Sequence, residues 1–483
     1  MPETVGNFVS GEWTVSETGE TFVVENPADP DDVVAHFQQS SAADTEAAIE
    51  AAADAQAEWA DMPAPDRGRI LTRTAQEIEN RQEELTETLV REEGKARPEA
   101  AGEVQRAVDI FYYYAEKARD LGGDVKAASG RDTNLYTVGE PLGVAGLITP
   151  WNYPIAIPAW KLAPALVTGN TVVIKPASQA PNVARKLVEC LEAAGIPDGV
   201  VNFVTGPGSE VGTELTTNES VDAISFTGSG NVGDVVYQQA AEDQKRVQLE
   251  MGGKNPTLVT ENADVEEAAE VVGSGAFGVT GQACTATSRA IVHESVYDAF
   301  VAELVEYAES LSIGPGLDDY DMGPQVSASE LDGTLTYIDV GTEEGATLET
   351  GGAALDDGEY DSGHFVEPTV FSDVSSDMRI AQEEIFGPVV GVIPVSDFEE
   401  GVAVANDTQY GLAASVVTDD LTEANRFVDE VEAGVVKVNE KTTGLELHVP
   451  FGGMKASSSE TYREQGDAGL DFFTTTKTVY ANY

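Results

Sequence analysis

From about Gly143 onward the chain alternates short runs of β-branched residues with stretches of helical periodicity. Residues 144–149, 171–175, 200–205 and 223–227 read as buried strands. Residues 158–167, 183–194 and 209–216, lying between them, read as helices. Strand, helix, strand at this spacing implies a parallel sheet with helices on both faces. The pattern restarts after Glu250, with strands expected at 257–259, 290–292 and 389–394 and helices at 266–278 and 296–310. That is a second α/β unit. Residues 44–116 read as helices, on the spacing of Ala47, Ala48, Ala51 and Ala52 and then of Ile70, Ala75, Ile78 and Leu85. Residues 341–364 are rich in Gly and acids and are expected to form a surface loop. The closing stretch, with Phe472, Phe473, Val479, Tyr480 and Tyr483, is too apolar for a free tail and is expected to add a strand.

A chain of 483 residues, 41% of them hydrophobic, has material for two or three domains and is not a disordered chain. No apolar run reaches the roughly 18 residues of a membrane span, so no membrane partner is expected. Met1-Pro2-Glu3-Thr4 lacks the basic and apolar pattern of a signal peptide, which makes the cytoplasm the expected compartment. Two cysteines cannot form a disulfide framework, and the 4 scattered histidines offer no zinc spacing, so no metal is expected. The net charge of −58 repels phosphate and excludes nucleic acid as a partner. Its acids are dispersed, as in Asp29-Pro30-Asp31-Asp32 and Asp318-Asp319-Tyr320-Asp321, rather than gathered in a tail. Dispersed acids suit a surface built for molar salt, where the Debye length falls to about 3 Å, and a halophilic protein is expected.

Several short stretches carry chemistry. In Gly281-Gln282-Ala283-Cys284-Thr285-Ala286 small neighbours would let a substrate reach the sulfur, although an isolated cysteine is more often a buried structural thiol. Cys190 lies inside an amphipathic helix and reads as core. Gly228-Ser229-Gly230-Asn231-Val232-Gly233 follows a strand and opens a helix, whose free N–H groups suit a pyrophosphate. Alone that motif is weak, because such turns often need glycine for geometry. Glu250 lies where the dinucleotide fingerprint expects an acid for a ribose hydroxyl. In Thr149-Pro150-Trp151-Asn152-Tyr153-Pro154 the amide of Asn152 could serve a developing oxyanion, or the segment could be a rigid turn. Lys175, at a strand end, could hold ribose or phosphate or be a solvated edge charge.

Together TPWNYP (149–154), IKPAS (174–178), FTGS (226–229), LEMGGKNP (249–256), GQACTA (281–286), EEIFGPV (383–389), NDTQYGLAA (406–414) and PFGGMK (450–455) resemble the NAD(P)-dependent aldehyde dehydrogenase superfamily over nearly the whole chain. The resemblance implies a Rossmann-like cofactor domain (1–122 and 142–252), a catalytic α/β domain (253–456) and a small β oligomerisation element (123–141 and 457–483). It implies Cys284 as nucleophile, Asn152 with the Cys284 N–H as oxyanion hole, and Glu250 as general base, against the ribose reading above. It implies cofactor contacts from Trp151, Lys175, Ser178, Ser229, Glu384 and Phe386. Ser178 stands where NAD-preferring relatives often carry a glutamate, which points to NADP with NAD as the other possibility. A homodimer or homotetramer is implied, the last strand pairing with a neighbouring subunit.

The segment Ala456-Ser457-Ser458-Ser459-Glu460-Thr461-Tyr462-Arg463-Glu464-Gln465-Gly466 lacks the family's usual glycines and resembles the 2,5-dioxopentanoate (α-ketoglutarate semialdehyde) dehydrogenases of pentose oxidation. Succinate semialdehyde, glyceraldehyde or another small aldehyde are the alternatives, with Arg106, Lys161 and Arg289 as the candidate anchors for a substrate carboxylate. A CoA-acylating dehydrogenase or a non-catalytic member are the rival classes.

Overall fold

A computed structural model describes residues 2–483, except for the side chain of Glu359. Two seven-stranded sheets dominate. The first runs Arg246–Glu250, Ala223–Thr227, Val144–Ile148, Thr171–Lys175, Val201–Phe203, then Asn7–Val9 and Glu12–Thr14. Its first five strands are parallel and the last two antiparallel. Val144–Ile148, Thr171–Lys175 and Ala223–Thr227 are buried along their whole length, because helices cover both faces. Only apolar and β-branched runs can fill that layer, which is why these strands were readable from the sequence.

The second sheet runs Thr347–Thr350, Thr369–Ser372, Val389–Val395, Thr287–His293, Asn255–Val259, Ala413–Val417 and Val435–Val438. Every pairing in it is parallel except the one made by Thr347–Thr350. That strand corrects the expected loop at 341–364, as does a small ladder pairing Ala354–Leu355 with Phe365–Val366. An edge strand with both flanks wet carries Glu and Thr rather than an apolar run, so its composition mimics a loop.

The tail strand Thr474–Asn482 pairs antiparallel with Thr133–Pro141 of the same chain, and Val125–Lys126 completes a three-stranded sheet. The strand expected from the apolar ending is therefore present, with its pairing inside the chain. Residues 457–473, expected with this element, lie elsewhere. The helix Gly466–Phe472 packs on the helix Ala156–Thr168, and Phe472 and Phe473 are buried in the core of the first unit. An Asp29–Gln38 strand lies between Glu3–Val5 and Thr21–Asn26 in a further three-stranded sheet. Among the described residues no helix is long and apolar enough to cross a membrane.

In the first sheet the chain moves from Val144–Ile148 outward through Thr171–Lys175 to Val201–Phe203, then returns to the other side of Val144–Ile148 as Ala223–Thr227. Strand order reverses there, and ligands of open α/β sheets bind beyond the carboxyl ends of strands at such a point. Residues 149–152 and 227–229 leave their strands at that place.

Candidate active site

A cleft of about 270 Å³ opens at the switch point, lined by Trp151, Asn152, Thr227, Ser229, Met251, Gly252, Cys284, Glu330, Glu384 and Phe386. Six of the residues singled out in the sequence thus share one wall-to-wall space: Trp151, Asn152, Ser229, Cys284, Glu384 and Phe386.

Cys284 sits between the helix Val265–Phe277 and the strand Thr287–His293. The approach to it is strained. Val279, Thr280 and Gly281 have φ of 53°, 57° and 67°, and two of them are β-branched, a type that avoids the left-handed region. Such a run persists only when its surroundings over-determine it. The Val279 N–H donates to Glu99 Oε1 at 2.7 Å, the Thr280 hydroxyl to the Gly323 carbonyl at 3.1 Å, and Gln325 Nε2 to the Thr280 carbonyl at 3.2 Å. Gln282 Oε1 accepts the Val326 N–H at 2.9 Å. Gly281 admits no side chain, since a Cβ would fall 2.2 Å from the Gly387 carbonyl oxygen. Asn255 Nδ2 donates to the Cys284 carbonyl at 2.9 Å. Partly exposed to the cleft, the thiol is nevertheless pushed up by burial, and further by the charges of Glu384, Glu250 and Glu464. A thiol so placed is protonated at rest and needs a base.

Asn152 faces this loop. Its Nδ2 donates to the Gln282 carbonyl at 2.8 Å, and its own carbonyl accepts Lys95 Nζ at 2.7 Å. Lys95 is fully buried, pairs with Glu103 at 2.7 Å and lies 4.4 Å from the Tyr153 ring centre. Burial works against its charge, but Glu103 and Glu93 outweigh that and hold its pKa above the ordinary value. Glu103 Oε1 accepts the N–H groups of Ile155 and Ala156 at 3.0 and 3.1 Å. A buried ion pair thus pins the turn bearing Asn152. Glu99, Glu103 and Lys95 went unnoticed in the sequence because charged residues on an amphipathic helix read as a solvated face. Their signal was the Gly94-Lys95 kink followed by acids on one helical stripe.

Glu250 ends its strand opposite Thr227 and is fully buried. Its carboxylate accepts the Gly453 N–H, the Ser458 hydroxyl and Gln248 Nε2, each at 3.3 Å. Burial, with Glu464 nearby, raises its pKa well above the ordinary carboxylate range. Lys161 bonds Ser225 Oγ at 2.7 Å and also Glu464, while Ser225 donates to Gln248 Oε1 at 2.8 Å. A continuous polar chain therefore runs from Glu250 through Gln248, Ser225 and Lys161 to Glu464. The carboxylate is thus walled by Gly453 and Ser458.

Trp151 and Phe386 meet edge to face at 5.3 Å on one wall, Phe386 itself having φ of 62°. Glu384 accepts the Gly253 N–H at 3.0 Å, and burial pushes its carboxyl up to about 7. A Cβ at Gly252 would fall 1.9 Å from Glu384 Oε2, so a side chain there would displace this carboxylate. Ser229 caps the helix Gly230–Glu242 without a side-chain hydrogen bond, leaving N–H groups of the first turn open to the cleft. The Thr227 hydroxyl is buried without a partner. Lys175 is buried, touches only the Pro176 carbonyl at 3.1 Å, and burial lowers its pKa to about 8. Ser178 is half-buried just beyond it. Neither lines the cleft proper. Unspent donors at a helix N-terminus, a hydroxyl and a lysine fit an elongated ligand bearing phosphate and hydroxyl groups.

The other conspicuous residues are structural. Cys190 is in the core with its thiol pushed up to about 11 by burial. Arg289 spends its guanidinium on the carbonyls of Lys254, Val404 and Ala405 at 3.0, 2.9 and 2.9 Å.

Two α/β sheets, a cysteine on a strained loop, an amide beside it and a phosphate-ready helix end define an enzyme that pairs thiol chemistry with a nucleotide-like ligand. The aldehyde dehydrogenase family model matches residues 13–479, and the chain belongs to that family of oxidoreductases. It is 66% identical over 483 residues, the full length of both chains, to an alpha-ketoglutarate semialdehyde dehydrogenase of Haloferax volcanii. It is 48% identical to an alpha-ketoglutaric semialdehyde dehydrogenase of Bacillus subtilis, covering 98% of this chain and 97% of that one. The crystal structure of a Staphylococcus aureus betaine aldehyde dehydrogenase in complex with NAD+ superposes with a TM-score of 0.96 at 34% identity, covering 99% of this chain and 94% of that chain.

Proposed function

We propose that this enzyme oxidises 2,5-dioxopentanoate to 2-oxoglutarate, with Cys284 as nucleophile, Asn152 as oxyanion donor and Glu250 as general base. The observation that carries the chemistry is the 2.8 Å bond from Asn152 Nδ2 to the Gln282 carbonyl, which holds an amide donor against the loop of the only cysteine in the cleft. The substrate reading is supported by the names of the two relatives above.

Each step follows from the groups present. The Cys284 proton passes to a base, and the thiolate adds to the aldehyde carbon to give a thiohemiacetal. Its oxyanion is met by the Asn152 amide and the Cys284 N–H, donors of a kind whose loss costs roughly a hundred- to a thousandfold in turnover. The nicotinamide dinucleotide, when bound, supplies the acceptor for the hydride. Glu250 then takes a proton from water as that water attacks the resulting thioester, and the C–S bond breaks to release carboxylate and thiol. The raised pKa of Glu250 suits this role, because it narrows the gap to the groups it must deprotonate.

Lys175, Ser178 and Ser229 would hold the adenosine ribose and phosphates, and Glu384, Phe386 and Trp151 the nicotinamide end. Ser178 beside Lys175 can donate to a 2′-phosphate that a carboxylate would repel, so the preferred cofactor is NADP, with NAD accepted. The enzyme is cytoplasmic and a homodimer or homotetramer, joined along the three-stranded sheet. Absorbance at 340 nm with 2,5-dioxopentanoate and either cofactor tests the reading. A kcat/KM no higher than that for succinate semialdehyde or glyceraldehyde rejects the substrate, and a lower KM for NAD than for NADP rejects the cofactor preference.

A further inference from the structure

We propose that Arg106 and Gln465 form the subsite that holds the carboxylate of the aldehyde substrate. This rests on the reading that the substrate is an oxo-acid semialdehyde. Arg106 is one of several arginines with no carboxylate within ion-pair distance among the described residues, but Arg67, Arg246 and Arg289 spend their N–H groups on backbone carbonyls and Arg106 does not. Glu446 and Asp109 reach it only through their fields. Its one hydrogen bond runs from Nη2 to Gln465 Oε1 at 3.1 Å.

Gln465 is 1% exposed, and its Nε2 is buried without an acceptor. Its backbone, with φ of 63°, is held in the left-handed region that a non-glycine residue rarely adopts. A guanidinium short of an anion and an amide N–H short of an acceptor, joined to each other, present the donor set a carboxylate satisfies.

The segments that carry them also hold groups of the active site. Residues 99, 103 and 106 fall on one face of the helix Arg97–Lys117. Glu99 on that face holds the Cys284 loop and Glu103 holds the Asn152 turn, so Arg106 continues the same stripe one turn further. Gln465 directly follows Glu464, whose charge is felt by both Glu250 and Cys284. The other candidates are already committed. Lys161 is saturated by Glu464 and Ser225, and Arg289 by three carbonyls. Arg463 donates to the Gly453 carbonyl and sets its charge against Glu250.

The test compares kcat/KM for 2,5-dioxopentanoate with that for pentanal, a neutral aldehyde of equal length, in wild type, Arg106→Leu, Arg106→Lys and Gln465→Leu. Wild type favours the anion. Arg106→Leu lowers the anionic-to-neutral ratio roughly a hundredfold, mainly through KM, because a site built for a charged partner loses most when that charge is removed. Arg106→Lys restores part of the ratio and Gln465→Leu lowers it roughly tenfold. A ratio unchanged in Arg106→Leu, or in both other variants should that one not fold, overturns the subsite while leaving the substrate reading intact. A wild type without preference for the anion overturns the substrate reading itself, before any variant is made.

Discussion

Glu99 Oε1 accepts the backbone N–H of Val279 at 2.7 Å, so a carboxylate on one helix holds a β-branched residue in a left-handed conformation in the turn that leads to Cys284. Burial raises the pKa of this carboxyl, and the Val279 N–H that it accepts works the other way. Removing that acceptor leaves a partly buried N–H unsatisfied, at a cost of about 1 kcal/mol. Glu99→Ala is expected to lower kcat roughly 10- to 100-fold and to slow alkylation of Cys284, with cofactor affinity unaltered. Glu99→Gln, whose amide oxygen still accepts, is expected to retain most activity. Equal activity in wild type and Glu99→Ala would show that the strained turn stands without it.

Glu250 is predicted to matter most after the hydride has left. Glu250→Gln keeps the shape of the site and removes the base, so turnover falls roughly 10²- to 10⁴-fold. Rapid mixing is expected to show a burst of reduced cofactor followed by a slow steady state, as the acyl enzyme waits for water. Cofactor affinity changes little, because the carboxylate faces Gly453 and Ser458. A large loss of cofactor binding in this variant would restore the ribose reading.

Lys175 is predicted to tie cofactor binding to pH. Burial depresses its pKa to about 8, so the ammonium is intact below that value and lost as pH rises through it. A ligand that needs the charge then binds with proton uptake. The dissociation constant of NADP is expected to be flat below pH 8 and to weaken above it by up to about tenfold per pH unit. Titration by tryptophan fluorescence reads this, and Lys175→Met is expected to bind weakly with no such slope. A wild-type constant that stays flat to pH 10 would rule out the lysine's charge as a contributor.

The Lys95–Glu103 pair is predicted to carry stability as well as geometry. Removing one partner leaves a buried charge unmatched, a loss of about 3–5 kcal/mol. Lys95→Met is expected to lower both Tm and kcat, since the freed Asn152 carbonyl no longer fixes its turn. The double variant Lys95→Met with Glu103→Leu is expected to recover Tm more than kcat. Parallel recovery of both would separate Asn152 from this pair.

The net charge of −58 predicts a salt requirement. Self-repulsion among dispersed acids is screened as the Debye length shrinks from about 10 Å at 0.1 M to about 3 Å at 1 M salt. Tm and activity are expected to rise together between 0.1 and 2 M KCl. Full activity and an unchanged Tm without added salt would remove the halophilic reading.

The buried strands and the covering helices were legible in the sequence, because a layer closed on both faces admits only apolar and β-branched runs, and 171–175 and 223–227 match their observed bounds. Cys284, Asn152 and Ser229 stood out because they sit beside glycines and prolines that no ordinary helix or strand would use, and Glu384 through the family resemblance alone; the fold brings all four to one cleft. Edge strands such as Thr347–Thr350 were not legible, since wet flanks erase periodicity. Only the tertiary structure decided that Glu99 and Glu103 reach across to two loops, that Glu250 rests against residues 453 and 458, and that Arg106 is left without an anion. A charged residue on an amphipathic helix has the same local pattern whether it meets water or a buried N–H. What distinguishes the two is which distant segment folds over it, and that is a property of the packed chain.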